Sequence, residues 1–300
     1  MITAVLAFLF TWCLFYGRIP QLYLFILCAG LGLSLAYAGR HKHSGFLSID
    51  VLAQSSRLKT INPGLKFGVI IALIIISVAS PNMYTGIFLM IAMISIMIFA
   101  GRFWPNQIVQ IMALPASFLM IGGLALLFES TSGASGVLYV NIFGQYLSVS
   151  AETQAKTALI IARSFGAFSC LCFLGITTPM PDIISVLRKI RCPELVIDLM
   201  YLIYRYTFIL LSLHHGMHTA AKSRLGFGNY RASLRATGLI YSNLFVRSYQ
   251  FASRNFDAME SRCYDAGIQF LEHQNSVKPA HICVFAVLLF ITLLLSLQTW

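Results

Sequence analysis

The sequence predicts an all-α fold, a polytopic integral membrane protein that also carries long cytoplasmic or interfacial helices. Of its 300 residues, 58% are hydrophobic and only 10% are charged, a charged fraction well under half of that of a soluble domain. The apolar residues fall in separate runs, several of them near the roughly 20 residues that a helix needs to cross a bilayer core. A single soluble core cannot bury that many apolar runs, so lipid is the main solvent of this chain.

The formal charge of +11 comes from 21 Lys and Arg against 10 Asp and Glu, and it fits either nucleic acid or a membrane surface as a partner. Cytoplasmic loops of membrane proteins collect Lys and Arg, and anionic lipids attract basic segments near the membrane. We therefore expect the lipid bilayer as a partner, and no nucleic acid. The seven cysteines are scattered through apolar segments, which favours small apolar side chains over a disulfide or metal framework.

The apolar runs predict the membrane helices in chain order, and Gly, Pro and Asn mark the breaks between them. Pro81 and Asn82 separate the third run from the fourth, and Pro105 follows the fourth. The first two runs form an extra hydrophobic segment of one or two membrane helices over residues 1–40, which we expect to remain in the mature chain. The runs cover about residues 2–16, 19–38, 66–80, 83–100, 106–128, 153–178, 194–213 and 279–298.

The charges of the loops predict the orientation of the chain. Residues 40–66 contain five Lys or Arg and a single acid, Asp50, which indicates a cytoplasmic loop. Residues 129–151 have no Lys or Arg and include several Gly and Ser, which indicates an external loop. Three apolar runs lie between these two loops, so the two signals agree. We predict that residues 40–62 and 181–275 are cytoplasmic and residues 129–151 external.

Residues 181–266 form a basic region that carries 11 of the 21 Lys and Arg, a density that argues against deep burial in lipid. Residues 182–190 alternate apolar and charged faces at helical spacing and predict a helix lying at the interface. Longer helices are predicted from 193 to about 222 and, with Asn229 as N-cap, from 229 to about 266. The chain is thus expected to divide into an extra segment (1–40), core membrane helices (41–180), a cytoplasmic helical region (181–275) and a C-terminal membrane helix (276–300).

The sequence offers no convincing catalytic, metal or cofactor site. His214 and His218 are four residues apart and would share a helix face, but two ligands do not close a metal site, and a solvated or interfacial histidine patch is the alternative. Residues 216–223 have the spacing of a phosphate-binding loop, yet Ala221 replaces the second glycine and both flanks are helical. We therefore expect no catalytic residue, no metal and no cofactor in this chain.

Three charged residues stand inside apolar runs, namely Arg163, Asp198 and Arg205. Charges in membrane segments are candidates for function because burying them in lipid is costly. Asp198 and Arg205 are seven residues apart on one helix face, which permits a shared polar seam, although both could equally face interfacial water. No row of paired acids indicates a proton or ion path, so an autonomous pump has little support.

Each of the two long helices in the basic region ends with a serine followed by an arginine. Arginine near a helix C-terminus suits the negative end of the helix dipole, and its planar guanidinium can bind a carboxylate through two hydrogen bonds. The pattern alone also fits two ordinary C-terminal arginines. The two triplets are Ser223-Arg224-Leu225 and Ser261-Arg262-Cys263.

A series of short stretches occurs in an order that resembles a known family: residues 49–56, 62–66, 177–179, 187–193, 204–206, 245–254 and 258–262. Together they resemble the T component of energy-coupling-factor transporters, in particular the CbiQ-type subunit of cobalt and nickel uptake systems. The resemblance covers roughly residues 49–298. In that family the two coupling helices usually end in Ala-Arg-Gly, so only the arginine of each triplet carries over to this sequence.

The resemblance implies a multi-pass subunit of the plasma membrane without catalytic groups. Its partners would be two cytoplasmic ABC ATPase subunits and a substrate-binding membrane subunit, which would hold the metal. ATP-driven closure of the ATPase pair would move the coupling helices, and these would tilt the substrate-binding subunit toward the cytoplasm. Arg224 and Arg262 would each enter a groove on one ATPase, beside Ser223, Leu225, Ser261 and Cys263.

Two other functions remain open at the level of sequence. A self-contained permease or channel would need a polar pathway through the spans, for which few charged residues are available. A membrane scaffold would not need two helices ending in arginine, but the sequence does not exclude it. Neighbouring genes for an ATPase and a small membrane subunit would separate these hypotheses, and the sequence does not distinguish cobalt from nickel.

Overall fold

A computed structural model describes residues 61–131, 138–142, 145–264 and 279–298, together with Thr11, Trp12, Leu14, Ala53, Gln54, Ser56 and Leu58. The chain divides into two compact units. The first unit comprises Met1–Pro179 and Gln274–Trp300, and the second comprises Met180–His273. The four-part division predicted from the sequence concerns placement relative to the membrane and stays a prediction.

The first unit is a bundle of apolar helices with a small sheet inserted before its longest helix. Its helices are α1 (Pro63–Ala79), α2 (Met83–Phe99), α3 (Pro105–Leu127), α4 (Ala151–Thr177) and α8 (Pro279–Leu297). Its strands are β1 (Glu129–Thr131), β2 (Leu138–Ile142) and β3 (Gln145–Val149). The helical class is confirmed, and each helix of this unit follows one predicted apolar run, whereas the runs 2–16 and 19–38 lie outside the described residues apart from Thr11, Trp12 and Leu14.

Local sequence signals fix where these helices begin. Asn62 caps α1, because its side-chain oxygen accepts a hydrogen bond from the backbone N–H of Gly64 at 3.0 Å, and Pro63 occupies the first turn. Ser150 and Thr153 form a capping box at the start of α4, in which the Thr153 hydroxyl accepts from the backbone N–H of Ser150 at 3.0 Å. These caps satisfy backbone donors that the first helical turn would otherwise leave without partners.

Helices α2 and α4 cross at a pair of glycines. A Cβ atom added to Gly86 would lie 2.2 Å from the carbonyl oxygen of Ala162, and one added to Gly166 would lie 2.9 Å from the Cα of Gly86. The Ser77 hydroxyl of α1 donates to the carbonyl of Arg163 at 3.3 Å beside this crossing. Helices in lipid associate through close contacts between small residues and a few polar bonds, so this crossing is a main source of cohesion in the first unit.

The apolar core of the first unit lies among α1, α2, the first turns of α3, α4 and α8. Leu73, Met93 and Phe173 are fully buried there. The loop between α1 and α2 is joined to the end of α8, because the Asn82 side-chain amide donates to the carbonyl of Leu295 at 2.9 Å. The C-terminal helix is therefore an integral part of this unit although about 100 residues of chain separate it from α4.

A fully buried lysine closes one end of the first unit. The Nζ of Lys66 donates to the backbone carbonyl of Leu58 and, at 3.2 Å, to that of Thr177 at the last turn of α4. The Ser56 hydroxyl donates to the same Thr177 carbonyl at 3.5 Å. A cation suits the negative end of the α4 dipole. This lysine, predicted to lie in a loop, is therefore a buried structural clamp that joins the start of α1 to the end of α4.

The loop predicted to be external contains a three-stranded antiparallel sheet, which the sequence analysis did not foresee. The strand order is β1-β3-β2. Leu147 of the central strand β3 lies opposite Ser130 of β1 on one edge and opposite Val140 of β2 on the other. The sheet gives this segment, free of Lys and Arg, a regular backbone in which strand β3 is paired on both edges. Its external location stays a prediction.

By length and composition, α4 and Glu194–Ser223 are each able to cross a membrane. Helix α3 becomes a third such helix if its two parts, which meet at Pro115 with a bend of 46°, form one span. Helices α1, α2 and α8 are apolar but shorter. The protein is thus a multi-pass membrane protein.

The second unit contains a short helix and two long ones: α5 (Met180–Lys189), α6 (Glu194–Ser223) and α7 (Tyr230–Glu260). Helices α5 and α6 agree closely with their predicted ranges. Helix α7 ends at Glu260 rather than near Ala266, because the chain turns over 261–263 with Cys263 at a positive φ of 56°. Asn229 occupies the N-cap position of α7 as predicted, but its side chain makes no capping hydrogen bond.

Candidate functional site

The two predicted arginines lie directly beyond the ends of the long helices of the second unit. Arg224 is the C-cap residue of α6, and Arg262 is the second residue after α7. Both side chains are exposed, as are those of the residues on either side in each triplet, Ser223, Leu225, Ser261 and Cys263. The predicted site residues are therefore accessible to a macromolecular partner.

The backbone takes the same turn at both sites. After α6, the N–H of Gly226 donates to the carbonyl of Ala221 at 2.9 Å, and that of Leu225 donates to Lys222 at 3.1 Å. After α7, the corresponding bonds run from Tyr264 to Met259 at 3.1 Å and from Cys263 to Glu260 at 3.0 Å. This pattern, one bond spanning five residues and one spanning three, is that of a Schellman-type helix end.

Each arginine is followed by a residue in the left-handed conformation. The φ angle is 58° at Leu225 and 56° at Cys263, a region that favours glycine. The left-handed residue reverses the chain just after the arginine, so the guanidinium lies at the tip of the helix. The sequence analysis identified the arginines but not this shared turn, because neither position carries the glycine that would signal it.

The neighbouring side chains leave the two guanidinium groups available. The serine hydroxyls bond back into their own helices, from Ser223 to the carbonyl of Thr219 and from Ser261 to that of Ala258, both at 3.0 Å. Within the described ranges of the chain, neither arginine is part of an ion pair. Each helix end therefore presents an exposed cation, which the negative end of the helix dipole stabilises.

A buried acid holds the turn after Arg262 against the first turns of α6. The carboxylate of Asp198 is only 5% exposed, accepts a hydrogen bond from the Tyr264 hydroxyl at 3.1 Å and lies 3.8 Å from the guanidinium of Arg188. Three effects raise the pKa of the Tyr264 phenol: desolvation first, then the hydrogen bond to the Asp198 carboxylate, and then the negative charge of that carboxylate. The phenol is therefore protonated at neutral pH and donates this bond. Asp198 thus connects α5, α6 and the end of α7.

The predicted seam between Asp198 and Arg205 does not appear as a contact. Arg205 is exposed on the same helix, and among the residues that the structure describes no ion pair joins it to Asp198. The Tyr264 partner could not be predicted from the sequence because 66 residues separate it from Asp198. A role for Arg205 in a polar seam stays a prediction.

An apolar groove of about 530 Å³ runs between α6 and α7. Leu199, Ile203 and Phe256 form part of its wall and are about half exposed or more. A second cavity of about 760 Å³ lies farther along the same helix pair and includes Arg247. Long helices that leave so much apolar surface open are suited to packing against other proteins or lipid.

The histidine cluster lies on aromatic rings. His214 stacks on Tyr241 of α7 with 5.6 Å between ring centroids, and His218 lies 4.7 Å from Phe227. The ring centroids of His214 and His218 are 6.1 Å apart. In the part of the chain that the structure describes, no group of three or more His, Cys, Asp or Glu side chains could hold a metal ion.

The bundle of apolar helices and the two arginine-ended helices define a multi-pass helical membrane protein with exposed cations at matched helix ends. The family model of the cobalt transport protein CbiQ matches residues 54–277 of the chain. The chain therefore belongs to the CbiQ family of cobalt transport proteins, the T components of energy-coupling-factor transporters.

Individual relatives agree with this family. A putative fused cobalt transport protein CbiMQ of Methanocorpusculum labreanum is 30% identical over 83% of this chain, which spans only 41% of that longer protein. The cobalt transport protein CbiQ of Rhodobacter capsulatus is 29% identical over 59% of this chain and 66% of its own length. The CbiQ protein of Salmonella typhimurium is 26% identical over 68% of this chain and 93% of its own length.

Proposed function

We propose that this chain is the transmembrane coupling subunit of an energy-coupling-factor ABC transporter for cobalt or nickel ions. It transmits the ATP-driven motion of two cytoplasmic ATPases to a separate substrate-binding membrane subunit. The observation that carries this proposal is the repeated helix end, in which Arg224 and Arg262 occupy the same place in the same turn and neither has an ionic partner within the described residues. Two equivalent cations suit two equivalent acidic grooves.

The geometry of the second unit supports the transmission step. An ATPase groove that binds Arg224 displaces the end of the 30-residue helix α6 when the ATPase moves. A groove that binds Arg262 displaces the end of the 31-residue helix α7. Because Tyr264 bonds to Asp198 near the start of α6, a displacement at the end of α7 is passed to α6 as well. The two long helices therefore move together, and the open apolar groove lies between them.

The fused relative supports the proposed partner. Its name combines CbiM and CbiQ, and this chain matches 41% of its length. A chain that joins a CbiQ-like part to another cobalt transport part is expected when the two parts work side by side. We extend that arrangement to the present chain as an association with a separate substrate-binding membrane subunit.

Charge reversal at the helix ends tests the proposal. Arg224→Glu or Arg262→Glu leaves the groove carboxylates uncompensated and adds a like charge, a loss of roughly 2–5 kcal/mol at one site. We expect ATPase association to weaken at least tenfold, measured by co-purification and by titration of the ATPases onto the membrane complex. Arg→Lys keeps the charge but loses the bidentate geometry, so each lysine variant should fall between wild type and the glutamate variant.

The matched control is Arg231→Glu, an exposed arginine in the first turn of α7 that is not part of a helix-end turn. Its substitution changes net charge by the same amount and should reduce ATPase association by less than about threefold, since exposed charges contribute little. Equal damage by Arg231→Glu and Arg262→Glu, or full ATPase retention in both glutamate variants at the helix ends, would show that the coupling assignment is wrong.

A further inference from the structure

Arg163 is a charged residue deep in the apolar part of the longest helix of the first unit. At the start of α4, Glu152 and Lys156 form an exposed ion pair at 2.6 Å. From Thr157 to Thr177 the helix contains no charged residue except Arg163. Arg163 lies seven residues beyond Lys156, which places its Cα about 10 Å farther along the helix axis.

The close crossing of α2 and α4 fixes the backbone of Arg163. Its neighbours Ala162 and Gly166 are buried against Gly86, and its carbonyl accepts the Ser77 hydroxyl. A Cβ atom added to Gly86 would lie 2.9 Å from the backbone nitrogen of Arg163. The two helices therefore leave no room for α4 to rotate. The face of α4 on which Arg163 lies therefore cannot turn away without breaking the crossing.

The side chain is partly exposed, but its buried Nε atom is not satisfied. The Nε atom of Arg163 is buried and has no hydrogen-bond partner, and within the described residues Arg163 makes no ion pair. A guanidinium in an apolar setting is costly unless an acceptor, and preferably a carboxylate, lies against it. Among the residues that the structure describes, the position thus holds a buried donor atom without an acceptor.

No Asp or Glu occurs in α1, α2, α3 or α8, or in α4 between Lys156 and Thr177. The 10 acidic residues of the chain lie before α1, at the two ends of the predicted external segment, or from residue 182 onward outside α8. A second copy of the chain has the same distribution and supplies no acid either. The acids are Asp50, Glu129, Glu152, Asp182, Glu194, Asp198, Asp257, Glu260, Asp265 and Glu272.

We propose that Arg163 forms an ion pair within the membrane with an aspartate or glutamate on a transmembrane helix of the partner membrane subunit. The inference rests on the proposed function, because it requires such a subunit. Phospholipid headgroups lie at the interfaces and not at this depth, whereas a carboxylate on a packed membrane helix reaches it. The planar guanidinium would fix both the depth and the rotation of that helix.

The test uses Arg163→Met and Arg163→Lys in the full transporter, with the membrane subunit and both ATPases co-expressed. Methionine is neutral and unbranched, so it removes the charge and keeps the apolar stem of the side chain. We expect Arg163→Met to reduce retention of the membrane subunit at least tenfold in detergent while ATPase retention is unchanged. Arg163→Lys keeps the charge and should stay within about threefold of wild type.

A stability measurement separates pairing with a partner from a structural role. In the isolated full chain an unpaired buried charge is a cost, so Arg163→Met should unfold at the same temperature as wild type or higher. A lower unfolding temperature would show that Arg163 stabilises this chain itself, which overturns the inference. Retention of the membrane subunit by Arg163→Met at the wild-type level would overturn it as well.

A photo-crosslinker placed at position 163 identifies the opposing helix, and a charge swap completes the test. The crosslinked peptide should come from the membrane subunit and contain an Asp or Glu, and exchanging that acid for Arg should restore the complex in Arg163→Asp. Crosslinks only within this chain or to lipid would contradict the inference. If the wild-type chain retains neither the ATPases nor the membrane subunit, the proposed function fails first, a result distinct from loss of the Arg163 contact alone.

Discussion

Leu225 and Cys263 hold the backbone at a positive φ immediately after the two arginines. For a residue with a Cβ atom this conformation costs roughly 1–2 kcal/mol relative to the right-handed region. Both side chains are exposed, Leu225 at 82%, so little packing compensates the cost inside the isolated chain. The same turn also ends α5, where Arg191 has a φ of 66°, so at α6 and α7 the left-handed residue sets where the preceding arginine lies.

Glycine at these positions should stabilise the isolated chain. We expect Leu225→Gly to raise the free energy of unfolding by about 0.5–1 kcal/mol, because the relief of strain exceeds the entropy that glycine loses on folding. Leu225→Val should lower it, since a β-branched side chain tolerates the left-handed region least. Thermal unfolding of the purified subunit in detergent would give the order Gly, Leu, Val, and any other order would contradict the assigned turn.

Lys66 is the residue whose role differs most from the sequence analysis, which counted it as one of several loop cations. Lys66→Met would leave the carbonyls of Leu58 and Thr177 without this charged donor, and we expect a loss of roughly 2 kcal/mol. Lys156→Met, which removes an exposed ion pair, should cost less than 1 kcal/mol. Unfolding midpoints of the two variants in the same detergent provide the comparison, and equal midpoints would show that the buried lysine contributes no more than the exposed ion pair.

At the scale of helices, apolar runs and breakers were sufficient to predict α1 to α4 and α8 because lipid imposes both the length and the composition of each span. Helix α6 was predicted from its apolar first half and from Pro193 directly before it. The predicted end of α7, near residue 266, was wrong, because no glycine or proline marks the turn at Cys263. The sheet was also missed, although β2 and β3 are rich in Val, Leu, Ile and Tyr and are separated by the two residues Phe143 and Gly144, a hairpin signal. The glycines and serines of the surrounding residues favoured the prediction of an irregular loop.

The glycine crossing makes an element-scale prediction in which two identical substitutions on α4 have opposite effects. Gly166→Ala places a methyl group 2.9 Å from the backbone of Gly86 and should destabilise the chain by about 1–3 kcal/mol. Gly175→Ala, on the same helix with no atom within 4 Å of the added methyl, should be neutral or stabilising by up to about 1 kcal/mol. If the two variants unfold at the same temperature, α2 and α4 do not cross at these glycines.

For the whole molecule, membership of the CbiQ family and the helical architecture agree with the interpretation reached from the sequence. What the sequence alone could not give is the equivalence of the two helix ends, because the triplets share only Ser and Arg and the common turn is a backbone property. The contact from Tyr264 to Asp198 was also beyond sequence reasoning, since it depends on how the second unit folds back on itself. These two features are the basis of the proposed transmission of force.

ATP-driven metal uptake by the complete transporter in proteoliposomes is the most direct test of coupling. With Co²⁺ and Ni²⁺ as probes, we expect the double variant Arg224→Glu and Arg262→Glu to abolish uptake while the membrane subunit remains bound to the chain. The control Arg231→Glu and Arg235→Glu, which reverses two exposed charges on α7, should keep at least about half of the wild-type rate. Uptake by the helix-end double variant at the rate of this control would contradict the coupling function.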